Sequence, residues 1–219
     1  MDTEINIGED DKLCIVGYSG AGKSLILRYM IDNVVSQFNN LIIVDTTSKF
    51  SEKSNIRFRG QVKCLNPTPN KICIKLQTEE DFEELCKTVN DLDTVPAFVV
   101  CDEIDAFVDV HSMLPETSLF FQIGRNYSKG GIFVARQVGR TNKQILSNAH
   151  YLILFRIYNK ADLQTLNEIL PYRFMQLIPK LQPHSFYLID LQRSLILGEF
   201  VLEPDSMRLR RLSGPIESQ

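Results

Sequence analysis

The stretch of sequence that decides the fold is LCIVGYSGAGKS, residues 13–24. From Gly17 to Ser24 it matches the pattern G-x-x-x-x-G-K-[ST], whose glycines let the backbone curl until its N–H groups point at one phosphate. A short apolar run precedes this phosphate loop, and apolar side chains follow it at helical spacing. The pattern therefore predicts a strand, a phosphate-binding loop and a helix. The alternative is an ordinary glycine turn between a strand and a helix.

The end of the phosphate loop, which we define as residues 17–24, carries its charged chemistry. Lys23 adds a positive charge near the β- and γ-phosphates of a nucleotide, and the Ser24 hydroxyl is a ligand for Mg²⁺. The helix that begins here directs its N-terminal dipole at the same anion. We expect the following residues to bind the nucleotide: Gly17, Tyr18, Ser19, Gly20, Ala21, Gly22, Lys23, Ser24 and Leu25.

A second informative stretch, Ala97–Glu103, is an apolar run with an acidic end. In sheets of this kind, ligands bind beyond the carboxyl ends of the strands, where this end and the phosphate loop would meet. We expect Asp102 to hold Mg²⁺ through water and Glu103 to orient or deprotonate an attacking water. An Asp-Glu pair alone is common at strand ends. Together with the phosphate loop it favours hydrolysis over a nucleotide switch, because a switch needs no general base.

Four polar residues farther along the chain are candidates for contact with the γ-phosphate. Gln137 follows a predicted strand, Ile132–Ala135, and its amide would reach the γ-phosphate or the lytic water; the alternative is an ordinary turn residue. An arginine supplied by a neighbouring subunit stabilises charge that develops in the transition state. Arg125 is the first candidate for that arginine and Arg140 the second. For these two and for Arg136 the alternative is a surface salt bridge.

The rest of the chain alternates between strand-like and helix-like patterns. Continuous apolar runs such as Leu41–Val44 are typical of parallel strands that are buried on both faces. The alternation predicts an α/β fold with a mostly parallel sheet and right-handed crossovers. Residues 56–64 and 71–76 indicate a strand pair or a hairpin, and Ser185–Asp190 with Leu195–Leu202 indicate a closing β-hairpin.

Length and composition limit the class of protein. The 219 residues contain 44% apolar and 23% charged side chains, as in ordinary globular proteins, and show no repeat or long linker. One domain over residues 1–219 is expected, with a frayed tail over about 206–219. Neither a signal peptide nor a membrane-spanning run is visible in the sequence. The five cysteines are an odd number without metal-type spacing, which is typical of a reducing compartment. A soluble, cytoplasmic protein is therefore expected. The histidines show no ligand spacing and are expected to be ordinary residues: His111, His150 and His184.

Charge is unevenly distributed, although the net charge of −3 argues against a general polyanion binder. Residues 79–109 carry eleven acidic side chains and one basic one, whereas residues 117–161 carry seven basic side chains and no acidic one. The basic region indicates a face for phosphates, nucleic acid or an acidic neighbouring subunit. The alternative is a set of solvated helix faces.

The order of these motifs resembles that of the FtsK/HerA superfamily of P-loop motor ATPases, which have a RecA-like fold. The resemblance covers about residues 10–200 and is carried by the phosphate loop, by Val-Val-Cys-Asp-Glu at 99–103, by Gly-Arg-Asn at 124–126 and by Arg-Gln at 136–137. The short chain is most similar to the genome-packaging ATPases of membrane-containing icosahedral viruses. Membership implies a homo-oligomeric, hexamer-like ring that binds ATP between subunits and pumps double-stranded DNA.

The resemblance also implies residue roles and partners. Lys23, Glu103, Gln137 and Arg125 would be catalytic, with Glu103 as the base, Gln137 as a sensor and Arg125 as the arginine from the neighbouring subunit. Ser24 and Asp102 would bind Mg²⁺. A viral capsid or membrane vertex protein would be a further partner, and the protein would act in the host cytoplasm or the virion. The alternatives are an assembly or secretion ATPase at a membrane complex and a non-motor nucleotide-binding module.

Overall fold

The computed structural model describes residues 5–38, 40–46, 48–50, 56–58, 71–92, 95–123 and 128–216, with the backbone alone for 56–58 and 123. The described strands are β1 Lys12–Val16, β2 Leu41–Val44, β3 Ile56–Phe58, β4 Lys71–Ile74, β5 Ala97–Cys101, β6 Lys129–Ala135, β7 Tyr151–Phe155, β8 Ser185–Asp190, β9 Leu195–Glu203 and β10 Arg208–Ser213. The described helices are α1 Lys23–Asn33, α2 Glu79–Asn90, α3 Pro115–Ile123, α4 Lys143–Ser147, α5 Lys160–Asn167 and α6 Tyr172–Leu177.

The strands form one ten-stranded sheet in the order β10-β9-β8-β7-β1-β6-β5-β2-β4-β3. The seven strands from β3 across to β7 are parallel to one another. The remaining three, β8, β9 and β10, extend the sheet with antiparallel pairings. The predicted fold class, a mostly parallel sheet flanked by helices with a C-terminal hairpin, is therefore confirmed.

The central strands are buried on both faces because helices cover both sides of the sheet. Successive side chains of a strand point to opposite faces. In β1, Leu13 and Ile15 pack in the apolar cluster that contains the buried side of α1. Cys14 and Val16 pack in the other cluster, which contains the buried side of α2. Continuous burial explains why β1 appears in the sequence as an apolar run rather than as an alternation.

Strand register brings three sequence-distant segments to one edge of the sheet. Val16, the last residue of β1, lies opposite Ala135 at the end of β6. Cys101, the last residue of β5, lies opposite Phe133 of β6. The phosphate loop, the residues that follow β5 and the residues that follow β6 therefore all emerge at the carboxyl edge, as predicted for a ligand site of this fold.

The C-terminal segment differs from its prediction. It was expected to fray from about residue 206, but Arg208–Ser213 form β10, which pairs antiparallel with β9. Strand pairing uses backbone groups that do not depend on side-chain polarity, and exposed arginines are common on edge strands because they discourage pairing with other chains. The predicted hairpin is thus extended by a third strand.

The sequence from Pro115 also predicts a helix that runs to about Lys129 and stops at Gly130-Gly131, and this prediction is wrong at its end. The described helix is Pro115–Ile123, and Lys129, Gly130 and Gly131 lie inside β6. A Cβ atom on Gly130 would lie 2.4 Å from the Glu9 carbonyl oxygen, so this glycine permits a close approach of two chain segments. Of the two alternatives for residues 56–64 and 71–76, a strand pair or a hairpin, the structure has a strand pair, with β3 parallel to β4; residues 59–70 lie outside the described residues.

Candidate nucleotide-binding and hydrolysis site

The phosphate loop has the backbone conformation that its glycines allow. Gly20 and Gly22 have φ angles of 83° and 111°, in the left-handed region where side chains are disfavoured. Gly17 is required for a different reason, since a Cβ atom there would lie 2.6 Å from the Cβ atom of Phe155 on β7. The loop ends where the N–H group of Ile26 donates to the Gly22 carbonyl and α1 begins. The loop therefore ends at a helix N-terminus, where an anion is favoured.

Lys23 lies across the phosphate loop. Its ammonium donates to the carbonyl oxygen of Gly17 at 2.5 Å and to that of Tyr18 at 3.0 Å. Burial lowers the pKa of Lys23, while the charges of Asp105 and Asp102 oppose that shift. A phosphate is a stronger partner for an ammonium than a neutral carbonyl is. Lys23 is thus placed to exchange its loop contacts for phosphate oxygens.

Asp102 is a buried carboxylate at the end of β5, with 3% of its surface exposed. Its Oδ2 atom has no hydrogen-bond partner among the described residues, and the nearest cation is the Lys49 ammonium at 3.9 Å. Burial raises the pKa of Asp102, and Lys49 opposes this rise. A buried carboxylate oxygen without a donor fits a hard cation, and Mg²⁺ prefers one or two protein oxygens with phosphate and water for the rest.

The oxygen donors present suit Mg²⁺ better than a metal held by protein alone. Among the described residues, no group of three or more His, Cys, Asp or Glu side chains is arranged to hold a metal ion. Asp102 and the Ser24 hydroxyl provide one hard oxygen ligand each at the same edge of the sheet. This is the donor set expected for Mg²⁺ that is shared with nucleotide phosphates.

Glu103 is held by a strained backbone and an ion pair. Its φ angle of 69° is left-handed, which is uncommon for a residue with a side chain. The Oε2 atom of Glu103 lies 2.5 Å from Nη2 of Arg136 and accepts from the Thr46 hydroxyl at 3.4 Å. The hydrogen bond and charge of Glu103 raise the pKa of Arg136. The carboxylate expected to act as a base is therefore bound by an arginine from the neighbouring strand end.

The segment after β6 borders an open cleft beside the phosphate loop. This arginine-lined cleft has a volume of about 550 Å³ and is bordered by Gly17, Tyr18 and Ser19 on one side and by the segment Arg136–Arg140 on the other. Gln137 and Arg140 are both exposed there. The structure places Gln137 in the same cleft as the first half of the phosphate loop. Arg125, the first candidate for a subunit-bridging arginine, lies outside the described residues.

Asp105 is a further acidic residue of this edge that the motif analysis did not single out. It lies in a short 3-10 turn, Ile104–Ala106, and borders the arginine-lined cleft. Its Oδ1 atom is buried without a hydrogen-bond partner among the described residues. The sequence signal for Asp105 was the density of acidic residues over 79–109. By contrast Asp45, another acidic residue at a strand end, accepts from the Phe50 N–H at 2.7 Å and stabilises a loop.

The described basic side chains of residues 117–161 do not form one surface. Lys129 is buried, and Lys143 forms an exposed ion pair with Glu168 at 2.6 Å. Arg136 and Arg140 border the arginine-lined cleft. Of the interpretations left open by the sequence, the placement of these two arginines beside the phosphate loop favours a role toward phosphates.

The phosphate loop lies between a central parallel strand and a helix, and a buried aspartate follows the strand two places away in the sheet. This arrangement defines the class of P-loop NTPases. The family model described as the central domain of the helicase HerA matches residues 9–104, which include the phosphate loop, Asp102 and Glu103. The resemblance of the chain to the FtsK/HerA superfamily is therefore confirmed. A comparison with curated proteins finds no match.

Solved structures extend the likeness over the chain. The genome packaging NTPase B204 from Sulfolobus turreted icosahedral virus 2, in complex with AMP, superposes with a TM-score of 0.74 at 15% identity, covering 96% of this chain and 100% of that one. VirB4 of Thermoanaerobacter pseudethanolicus gives a TM-score of 0.58 at 11% identity over 82% and 86% of the two chains. The pCW3 conjugation coupling protein TcpA gives 0.56 at 17% over 82% and 57%. At these identities the likeness shows the fold.

None of the helices in the described part of the chain has the length and apolarity needed to cross a membrane.

Proposed function

We propose that this chain is a Mg²⁺-dependent ATPase, a single domain that works in a ring of identical subunits and moves double-stranded DNA, with a viral genome as its cargo. The proposed ATP hydrolysis rests on one observation: three segments meet at the carboxyl edge of the sheet. There the phosphate loop, the Asp102-Glu103 pair and Gln137 come together from β1, β5 and β6. Each segment supplies a different element of phosphoryl transfer to water.

The proposed roles follow from the chemistry of each group. Lys23 leaves the loop carbonyls and neutralises the β- and γ-phosphates, while Ser24 and Asp102 hold Mg²⁺, which offsets phosphate charge when bound. Glu103 takes the proton of the attacking water once Arg136 releases its carboxylate. Gln137 orients that water or contacts the γ-phosphate from the arginine-lined cleft.

The exposure of the site supports the proposed ring. The arginine-lined cleft is exposed on the side of Gln137 and Arg140, so a neighbouring subunit has room to cover it. An arginine donated across such an interface stabilises charge in the transition state and couples hydrolysis to the arrangement of subunits. Arg125 remains the first candidate and Arg140 the second.

The DNA cargo is supported by the likeness to solved structures and not by any DNA-binding surface among the described residues. A further B204 structure, from Sulfolobus turreted icosahedral virus, is described as that of a DNA-packaging ATPase and has a TM-score of 0.72 to this fold. The fold likeness to VirB4 and to the conjugation coupling protein TcpA supports a second candidate, an assembly or secretion ATPase at a membrane complex. In the packaging role the protein would act in the host cytoplasm or in the virion, at a capsid or membrane vertex.

The test is ATP hydrolysis by the full chain with and without double-stranded DNA. We expect hydrolysis that DNA stimulates and that Glu103→Gln reduces by at least about 100-fold, because a general base contributes roughly 10²–10⁴-fold. The matched control is Glu84→Gln, an exposed carboxylate on α2, which should leave the rate unchanged. Hydrolysis that DNA does not affect would favour the assembly candidate, and undetectable hydrolysis would reject both.

The interface is tested by mixing subunits. Wild-type protein mixed with Arg125→Ala protein should lose more activity than dilution accounts for if the arginine acts on a neighbour's nucleotide. The same experiment with Arg140→Ala decides between the two candidates. A loss proportional to the fraction of variant in both mixtures would contradict an arginine that acts between subunits.

A further inference from the structure

A small apolar hollow lies at the second half of the phosphate loop, separate from the arginine-lined cleft. The cleft borders Gly17–Ser19, whereas the hollow borders Gly22 and Leu25. Its volume is about 70 Å³. The side chains that line it are mostly apolar and come from α1, β7, β8, β9 and their turns; they include Leu25, Phe155, Phe186, Leu202, Pro204 and His184.

The direction of the phosphate loop determines which part of a nucleotide reaches this hollow. Lys23 serves the β- and γ-phosphates, and the backbone N–H groups of the loop serve the α- and β-phosphates. The γ-phosphate belongs on the side of Glu103 and Gln137, which border or adjoin the cleft. The α-phosphate and the nucleoside therefore leave the loop on the opposite side, toward the start of α1 and the hollow.

His184 is the polar side chain of this hollow and has no role in the hydrolytic site. It is exposed, and its φ angle of 63° is in the left-handed region. A Cβ atom on Gly22 would lie 4.0 Å from Nδ1 of His184 and 3.4 Å from Cε1 of Phe155, so the imidazole lies directly beside the loop. Strained backbone conformations of this kind concentrate at functional sites.

The turn that presents His184 is fixed by its neighbour. The Ser185 N–H donates to the Gln182 carbonyl at 3.1 Å, and the Ser185 hydroxyl lies 2.9 Å from Oε1 of Glu199 on β9. The start of β8 therefore fixes the backbone that presents the imidazole to the P-loop glycine. An imidazole has only two side-chain torsions and offers a flat aromatic face at low cost in side-chain entropy.

We propose that this hollow is the nucleobase subsite and that the ring of His184 contacts the face of the base. This inference rests on the proposed nucleotide-binding function and names the part of the site that holds the nucleobase. The hollow is far smaller than the roughly 300–1,000 Å³ of a site that encloses a whole ligand, so the base lies across it with one edge in solvent. Stacking tolerates any base, because every base has a π-face. The subsite therefore accepts both purines with little discrimination.

The test compares ligands that have a base with one that lacks it. Calorimetric titration of the full chain with Mg²⁺ uses the β,γ-methylene analogues of ATP and GTP, and inorganic tripolyphosphate. His184→Gly removes the ring and relieves the positive φ angle, so folding is preserved. This variant should weaken the affinity for both nucleotide analogues by about five- to a hundredfold, as expected for the loss of one base–aromatic stack. The affinity for tripolyphosphate should not change. His184→Phe, which keeps an aromatic face, should retain nucleotide affinity to within about threefold.

The matched control is Ser194→Gly, since Ser194 also has a positive φ angle, 50°, and lies beyond the other end of β8. Equal weakening of nucleotides and tripolyphosphate by His184→Gly, or no weakening of either, would overturn the subsite. Loss of affinity in His184→Phe equal to that in His184→Gly would overturn the ring contact. Binding is measured without turnover, so a chain that binds in this way yet fails to hydrolyse ATP refutes the proposed motor function alone.

Discussion

The two edges of the parallel sheet both hold buried charged side chains, and they differ in how those charges are paired. At the amino edge two of these charges are the lysines Lys12 and Lys129. The Lys12 ammonium donates to the Phe121 carbonyl at 3.0 Å near the end of α3, and the Lys129 ammonium donates to the Leu92 carbonyl at 2.5 Å and to the carbonyl of Val95. Cations near the C-terminal end of a helix also interact favourably with its dipole.

At the carboxyl edge the buried carboxylate oxygens are not all satisfied: Asp45 accepts from the Phe50 N–H, whereas two others have no donor. Asp102 Oδ2 and Asp105 Oδ1 are buried without a hydrogen-bond donor among the described residues. Buried polar groups in folded proteins are normally paired, and unpaired ones need an explanation. A metal cation bound together with nucleotide phosphates at the carboxyl edge would explain the unpaired oxygens. The paired cations at the amino edge are explained by the stability of the fold alone. The contrast separates residues that maintain the fold from residues that act on a ligand.

The variant Asp102→Asn tests this contrast with the largest expected effect. Loss of the carboxylate should reduce Mg²⁺-dependent hydrolysis by at least about 100-fold, because metal-ion catalysis is worth several kcal/mol. Stability should not fall, since burial raises the pKa of Asp102 and the charge is costly in the folded state. Steady-state hydrolysis and thermal unfolding measure the two properties. A large drop in Tm would mean that Asp102 maintains the fold.

Lys12 gives the amino edge a measurable pH dependence. Burial lowers the pKa of Lys12 to about 8 from its ordinary 10.5, with Asp10 opposing the shift. Between these two values the unfolded chain binds more protons than the folded one, so stability rises with pH over this window and is constant below it. The expected contribution is about 3 kcal/mol, at about 1.4 kcal/mol per pKa unit. Urea unfolding from pH 7.5 to 10.5 should show the rise in wild type relative to Lys12→Met, and parallel curves would contradict it.

Lys129→Met tests whether a paired cation serves stability alone. The variant keeps the length of the side chain but removes the donor to two carbonyls, so the free energy of unfolding should fall by about 2 kcal/mol. Hydrolysis per folded molecule should not change. Lys143→Met is the matched control, because its ion pair with Glu168 is exposed and should contribute less than about 1 kcal/mol. Equal losses in the two variants would remove the distinction between buried and surface cations.

Local patterns explain which parts of the molecule the sequence predicts. The strand β1, the phosphate loop and α1 follow from glycine placement and apolar periodicity within a few residues of each other. Local patterns do not predict the position of Asp105 or the contact between Glu103 and Arg136, because both depend on the register between β5 and β6. Gly130 was misinterpreted as a helix stop, although it serves a close approach to the Glu9 carbonyl. The roles of the site residues remain predictions, and the experiments above test them.

The smallest effect concerns the ion pair between Glu103 and Arg136, which is the one described pairing of an acidic site residue with an arginine at the carboxyl edge. If Arg136 restrains the base, Arg136→Gln should raise basal hydrolysis without DNA. The increase should not exceed about fivefold, because the arginine side chain is 62% exposed and pairs of this kind contribute at most about 1 kcal/mol. The gain should disappear in the double variant with Glu103→Gln. A fall in rate in the single variant would show instead that Arg136 serves the phosphates, and the carboxyl edge would then contain no restraint on its base.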